Sequence, residues 1–331
     1  MALRTVFYYP HEIPDPLPED PLFYIREQGK TWILQTVYHL RRNGYPAELT
    51  NEIPESGIVI GHSYELPRNL RPTGKLFVVS VQADFRPHPY ANADIVQNPV
   101  QARDEFAGRR RYYMTHWPQN GLIPRDESRG EAFENLSYFG VGTDGSVRDE
   151  EFKKWLKENG FNFILGWKPS SWLDYSNADA VVALRNTRHL HSHKPATKLY
   201  NAWAAGVIPI MGPESAYWCL QKSDLDFVRV RNTEEIKKAL LSLREDPKLR
   251  RRIIENGRER ARHFTLERTA RRWIDLLEVN LLADANIWFR TPAWKRALRN
   301  AAQAAWGRHL NYTRCVLQQR GPTLGLLGSS R

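Results

Sequence analysis

The sequence predicts an α/β protein made of two Rossmann-like, doubly wound domains with a cleft between them. Three observations carry this. Short runs that are apolar throughout, such as GIVIGH (57–62) and KLFVVSVQAD (75–84), alternate with amphipathic stretches. Strands without a polar face belong in a parallel sheet covered on both sides. The alternation occurs twice, before and after a segment (115–135) that holds two Pro, two Gly and many charges, the composition of a linker. Finally, 331 residues are more than one core usually organises.

The elements follow in order. RTVFYYP (4–10) reads as a strand, and GKTWILQTVYHLRRNG (29–44) as a helix with Ile33, Val37 and Leu40 on one stripe and Gly44 as its stop. YPAELT (45–50), GIVIGH, KLFVVSVQAD and ADIVQNP (93–99) are further strands. Together they make an N-terminal domain of residues 1–115, followed by a linker at 116–135. The second unit, residues 136–280, opens with LSYFGVG (136–142), a helix at 148–160, FNFILGW (161–167) and a strand within DYSNADAVVALR (174–185). A helix at 198–206, strands at 207–213 and 227–232, and three helices beginning near Thr233, Pro247 and Thr265 complete it. Thr233 with acids in the next turn is a good helix start. Residues 281–331 form a basic, Trp-containing helical tail.

Composition narrows the function. The hydrophobic and charged fractions, 41% and 26%, are those of an ordinary globular protein. The N-terminal segment lacks the apolar stretch of a secretory signal, and no segment approaches a membrane span. Two distant thiols, Cys219 and Cys315, exclude a disulfide framework or a four-cysteine zinc site and suit a reducing, cytoplasmic setting. Of the net charge of +11, the tail supplies +7, from eight basic residues against Asp284. Its interleaved Trp and Arg suit an anionic membrane surface or nucleic acid, or a basic tail whose aromatics pack on the protein body. No nucleic-acid module accompanies it, so no nucleic acid is expected.

Ligands of open α/β sheets bind outside the carboxyl ends of the strands. In the second unit those positions are Gly140 and Gly142, Trp167 and Lys168, Arg185, the loop HLHSHKPATK (189–198) and Glu214. The loop leads into the helix near Lys198, whose N-terminus favours a phosphate through free N–H groups and the helix dipole. Lys194, Lys198 and Arg185 add charge, so a diphosphate is the expected ligand, although the GxxxxGK[ST] loop is absent. His189, His191 and His193 alternate, but no nearby Cys or carboxylate completes a zinc site. Asp224 and Asp226 imitate a DxD metal motif, yet sit where turn residues usually face solvent. No metal and no cofactor is therefore expected. Glu214 is placed to accept from a sugar or ribose diol, or to flank the next helix start.

These residues carry a resemblance. AWAAGVIPI followed by GPE, with RHFTLERTARRWIDLLE near the end of the chain, resembles the C-terminal nucleotide-sugar domain of GT-B glycosyltransferases. The pair of glutamates found in many retaining members would fall at His193 and Asn201, and both are replaced. TKLYNAWAAGVIPIMGP also resembles the donor loop of GT-B fucosyltransferases, which would make Lys198 the diphosphate contact, with Thr197 where Glu is usual. With NADAVVALR ahead of the loop, the chain is similar to bacterial transferases of surface-polysaccharide type. The resemblance covers 136–280 closely and 1–115 in architecture only.

It implies a metal-independent glycosyltransferase. Its partners would be a nucleotide diphosphate sugar, held by Gly142, Arg185, His193, Lys194, Thr197, Lys198, Asn201 and Glu214, and a glycan or lipid-linked acceptor on the N-terminal domain. The catalytic base would come from the N-terminal rim, where His62 follows a buried strand and Asp84 and Glu65 are alternatives; His11 and Glu12 share that rim, and His116 and Trp117 could line the cleft from the linker. The tail would hold the protein peripherally at an inner membrane face. The alternatives are a nucleotide-sugar epimerase of the same fold, or a nucleic-acid or membrane binder acting through its tail.

Overall fold

A computed structural model describes residues 3–25, 27–103, 109–140, 148–185 and 191–318, with side chains to 305. Two parallel sheets organise it. The first has the order β2-β1-β3-β4-β5-β6, from β1 (Thr5–Tyr8), β2 (Glu48–Thr50), β3 (Gly57–His62), β4 (Leu76–Val81), β5 (Ala93–Val96) and β6 (Arg110–Tyr113). The second has the order β11-β10-β9-β7-β8, from β7 (Asn135–Phe139), β8 (Asn162–Gly166), β9 (Ala180–Ala183), β10 (Ile208–Met211) and β11 (Val228–Arg229). Every pairing in both sheets is parallel. In each sheet the first strand of the unit lies between the second and third, so each has a topological switch point, β1/β3 and β7/β9, where α/β crevices form.

The apolar runs become strands because both faces are covered. All six residues of β3 and of β4 are buried. One face of the first sheet packs Phe7, Ile58, Ile60, Phe77 and Val79 on Trp32, Ile33, Val37 and Leu40 of the helical segment 30–42. Leu266–Asp275 and the helical turns after it cover the same sheet, burying Trp273, Leu277, Leu281, Ala285 and Trp288. The chain thus returns to its first sheet after finishing the second. The second core gathers Leu136, Tyr138, Val182, Ile208 and Ile210 with Phe152, Leu156, Ile236 and Leu240.

Candidate functional site

The carboxyl ends of the two sheets face each other, and the residues just beyond them touch. From the first sheet, Gln97 and Asn98 follow β5. The Gln97 amide donates to Asp84 Oδ1 at 2.7 Å and to the carbonyl of His193 at 2.9 Å. Asn98 donates to the carbonyl of Lys194 at 3.0 Å and to Ser215 Oγ at 2.9 Å. Lys194 Nζ reaches across to Asp84 Oδ2 at 2.6 Å. The loop before helix Thr197–Ala205 is therefore held through its own backbone carbonyls by side-chain amides of the opposite domain. His191, at φ +46°, begins the turn that Lys194 N closes on His191 O.

No side chain caps helix Thr197–Ala205, whose N-cap is Ala196. The N–H groups of its first turn are the kind of donors a phosphate takes up. Lys198 Nζ lies 4.2 Å from the Tyr138 ring centroid, a cation–π contact. It also stands beside Gly140, where a side chain would begin 3.3 Å from it and 2.7 Å from the Tyr138 hydroxyl. Arg185, after β9, pairs with the buried carboxylate of Glu214, after β10. These two were each expected to meet a ligand; the structure joins them in one ion pair at the rim.

The other predicted donor residues are placed as follows. His193 is desolvated beside Lys194, and burial first, then that charge, lowers its pKa to about 4. Thr197 Oγ1 and the carbonyl of His116 both lie 3.1 Å from the Tyr200 hydroxyl. Asn201 is buried and donates to Gln119 of the linker at 2.7 Å, so it fastens the linker to the helix. Gly142 and His189 lie outside the described residues.

On the opposite wall, His62 ends β3 with 1% exposure, and neither ring nitrogen has a hydrogen-bond partner among the described residues. Burial lowers its pKa to about 4 against a smaller upward pull from Asp84. Phe85 stands edge-on to His62 at 5.0 Å, and Tyr64, 74% exposed, leans on Phe85 at 5.3 Å. Glu65, at the β1/β3 switch point, packs against Gly29, and its Oε2 has no hydrogen-bond partner among the described residues. Burial, then the charge of Glu27, raises its pKa to about 7. His11 Nε2 lies 3.9 Å from the other oxygen.

Three sequence candidates turn inward. Trp117 is buried, donates to Thr36 Oγ1 at 2.8 Å and rests on His39, and His116 packs edge-on to Trp32. Asp226 is fully buried, accepting from Lys222 N, Ser223 N and Asn256 and pairing with Arg260 at 3.2 Å. Among the described residues, no group of three His, Cys, Asp or Glu side chains is placed to hold a metal. A separate cavity of about 370 Å³ under β7 and β8, lined by Ser137, Phe139, Ser171 and Asn177, takes in none of the predicted residues. Gln97 and Asn98 were not singled out from the sequence, although a polar pair directly after an apolar strand was the available signal.

Two Rossmann-like units meeting at a cation-bearing cleft define the GT-B class of architecture. Residues 152–275 match the family described as "Glycosyl transferase-like", so the second unit is a glycosyltransferase-like domain. The solved structure of AviGT4, a glycosyltransferase involved in avilamycin A biosynthesis, is similar in fold: 15% identity, TM-score 0.50, covering 85% of this chain and 98% of that one. Sucrose-phosphate synthase from Thermosynechococcus elongatus aligns at 13% identity and TM-score 0.49 over 75% of this chain and 77% of its own. Anabaena HepE, in complex with UDP and glucose, aligns at 10% and 0.48 over 83% and 99%. No curated protein matches the chain.

Proposed function

We propose that the protein transfers a sugar from a nucleotide diphosphate sugar to a hydroxyl of a glycan or lipid-linked acceptor, with no metal taking part. The observation that carries this reading is the juxtaposition across the cleft. Lys194, Lys198 and an uncapped helix N-terminus stand at the switch point of a glycosyltransferase-like domain, and His62 and Asp84 stand opposite. The cations and helix dipole stabilise the charge that develops on the leaving diphosphate, the task a metal performs elsewhere. The acceptor O–H attacks the anomeric carbon, the bond from that carbon to the phosphate oxygen breaks, and the proton passes to the rim. His62 is the neutral group placed to receive it, although the burial that lowers its pKa to about 4 also weakens it as a base, and Asp84 is the alternative. The tilted Tyr64–Phe85 pair beside His62 offers an apolar surface to an acceptor ring.

The test is thermal shift with a panel of nucleotide sugars on the wild type, Lys194→Ala and Lys198→Ala. A shift with one donor that both variants lose, and release of nucleoside diphosphate only when acceptor is added, is the expected result. Isomerised donor without release would overturn transfer in favour of epimerisation. An unchanged shift in both variants would remove the diphosphate from this loop.

A further inference from the structure

The C-terminal helix Ala293–Gln318 is amphipathic in the reverse of the usual sense. A surface helix ordinarily turns its apolar stripe to the protein and its polar face to water. Here, through residue 305, the polar side chains other than Lys295 turn toward the protein. Gln303 is 1% exposed, Arg299 donates to the carbonyl of Asn92 at 3.1 Å, Asn300 approaches the carbonyl of Pro72 at 3.4 Å, and Arg296 is folded back on Thr291. Trp288 of the preceding helix anchors the corner, donating to Thr73 O at 2.7 Å under the Arg299 guanidinium. The outward stripe is Trp294, Ala297, Leu298, Ala301, Ala302 and Ala305, spaced at three and four residues, and all are exposed. Ile287 of the preceding helix, Trp294 and Leu298 are each 62% exposed.

Charge identifies what covers this face. Arg290 and Lys295 flank the stripe, and the loop on which the helix rests, residues 67–75, carries Arg68, Arg71 and Lys75 with no acid. A second copy of the chain would bring the same positive charge to the contact. An anionic bilayer supplies the opposite charge and accepts Trp and Leu at its interface. We infer that this face, Ile287, Trp294 and Leu298 with their basic rim, docks on an anionic lipid surface.

The contacts also set the orientation. Pro72, Thr73 and Asn92 precede β4 and β5, so the helix lies at the end of the first sheet opposite the cleft. The docked protein holds its cleft off the bilayer by about the length of a six-residue strand, roughly 20 Å. An acceptor in the cleft would then be a chain extending from the surface, or soluble, rather than a short headgroup.

The experiment is flotation of the full chain with vesicles of phosphatidylcholine alone and of phosphatidylcholine with phosphatidylglycerol. Flotation with the anionic vesicles only, weakened by salt, is expected. The exposed double variant Trp294→Ala with Leu298→Ala should lower partitioning about tenfold or more, since two interfacial side chains together contribute above the 1.4 kcal/mol that tenfold represents. Circular dichroism of that variant should match the wild type, because neither side chain is buried. No flotation, or equal flotation of variant and wild type, would overturn the inference. So would a wild-type dimer that the double variant dissolves, which would assign the face to self-association. None of these readouts involves donor binding, so the transferase reading stands or falls separately.

Discussion

Asp84 sits between two tasks. Its carboxylate accepts from Gln97 and pairs with Lys194, the residue assigned to the donor diphosphate. On the proposed reading, donor binding asks Lys194 to exchange one anion for another, which would free Asp84 on the acceptor side. Both side chains are partly exposed, 27% and 29%, so the pair is worth no more than about 1 kcal/mol. Asp84→Asn should keep the Gln97 bond, release Lys194 and tighten donor binding by up to about fivefold at low salt while turnover falls. Calorimetric titration checks this, and weaker donor binding would refute the exchange. Glu65 gives a second prediction. An acid whose folded pKa is raised from 4.5 to about 7 binds its proton better in the folded state, so it costs stability as pH rises through that window. Glu65→Gln should unfold at a higher temperature than wild type at pH 8 and at nearly the same temperature at pH 4.5. At this scale the sequence showed which residues end strands, hence His62, Asp84, Arg185 and Glu214. It did not show the Arg185–Glu214 pairing or the Asn201–Gln119 bond, because partners 29 and 82 positions apart leave no local pattern.

The element that serves the site is the helix Thr197–Ala205, whose two ends are built differently. Its N-terminus is left without a side-chain cap, toward the cleft. Its C-terminus is closed by Gly206 at φ +69°, with the Gly206 and Val207 amides bonding back to Trp203 and Ala202. A β-carbon there would meet only the end of Arg258 at 3.5 Å, so Gly206→Ala costs left-handed strain and little else, about 1–2 kcal/mol in urea unfolding. Donor affinity should be nearly unchanged, because the strained end is remote from the loop. Gly140→Ala carries both costs: at φ +156° a side chain strains the backbone, and a β-carbon 2.7 Å from the Tyr138 hydroxyl and 3.3 Å from Lys198 Nζ must displace one of them, so donor affinity should fall along with stability. Strands and this helix were legible because an all-apolar run and a small-residue stripe report their own burial. The apolar spacing of 265–282 likewise reported a helix, but not that Trp273, Leu277 and Leu281 cover the first sheet. Periodicity names a buried face without naming what buries it.

For the molecule as a whole, the first five strands of the six-stranded first sheet follow the same order as the five of the second, and the sheets meet at their carboxyl ends, yet their buried titratable groups are unevenly divided. His39, His62 and His88 belong to the first sheet's domain and His193 to the loop of the second, and burial lowers the pKa of each to about 4 from 6.5. A histidine with a depressed folded pKa stabilises fully above 6.5. That contribution is lost as pH falls toward 4, because the unfolded chain takes up the proton first. Each is worth on the order of 1–3 kcal/mol over that interval, and among the described residues Glu65 opposes them in the range 4.5–7. Urea midpoints should therefore fall steadily from pH 6.5 to 4.5. Salt should alter the slope little, since burial, not a neighbouring charge, is the leading cause at all four. Two domains need not unfold together. With three of the four histidines on one side, the first domain should lose its amide protection before the second at pH 5, as hydrogen exchange resolved along the chain would read. Earlier loss in β7–β10, or a midpoint flat with pH, would mean that these imidazoles do not control acid stability.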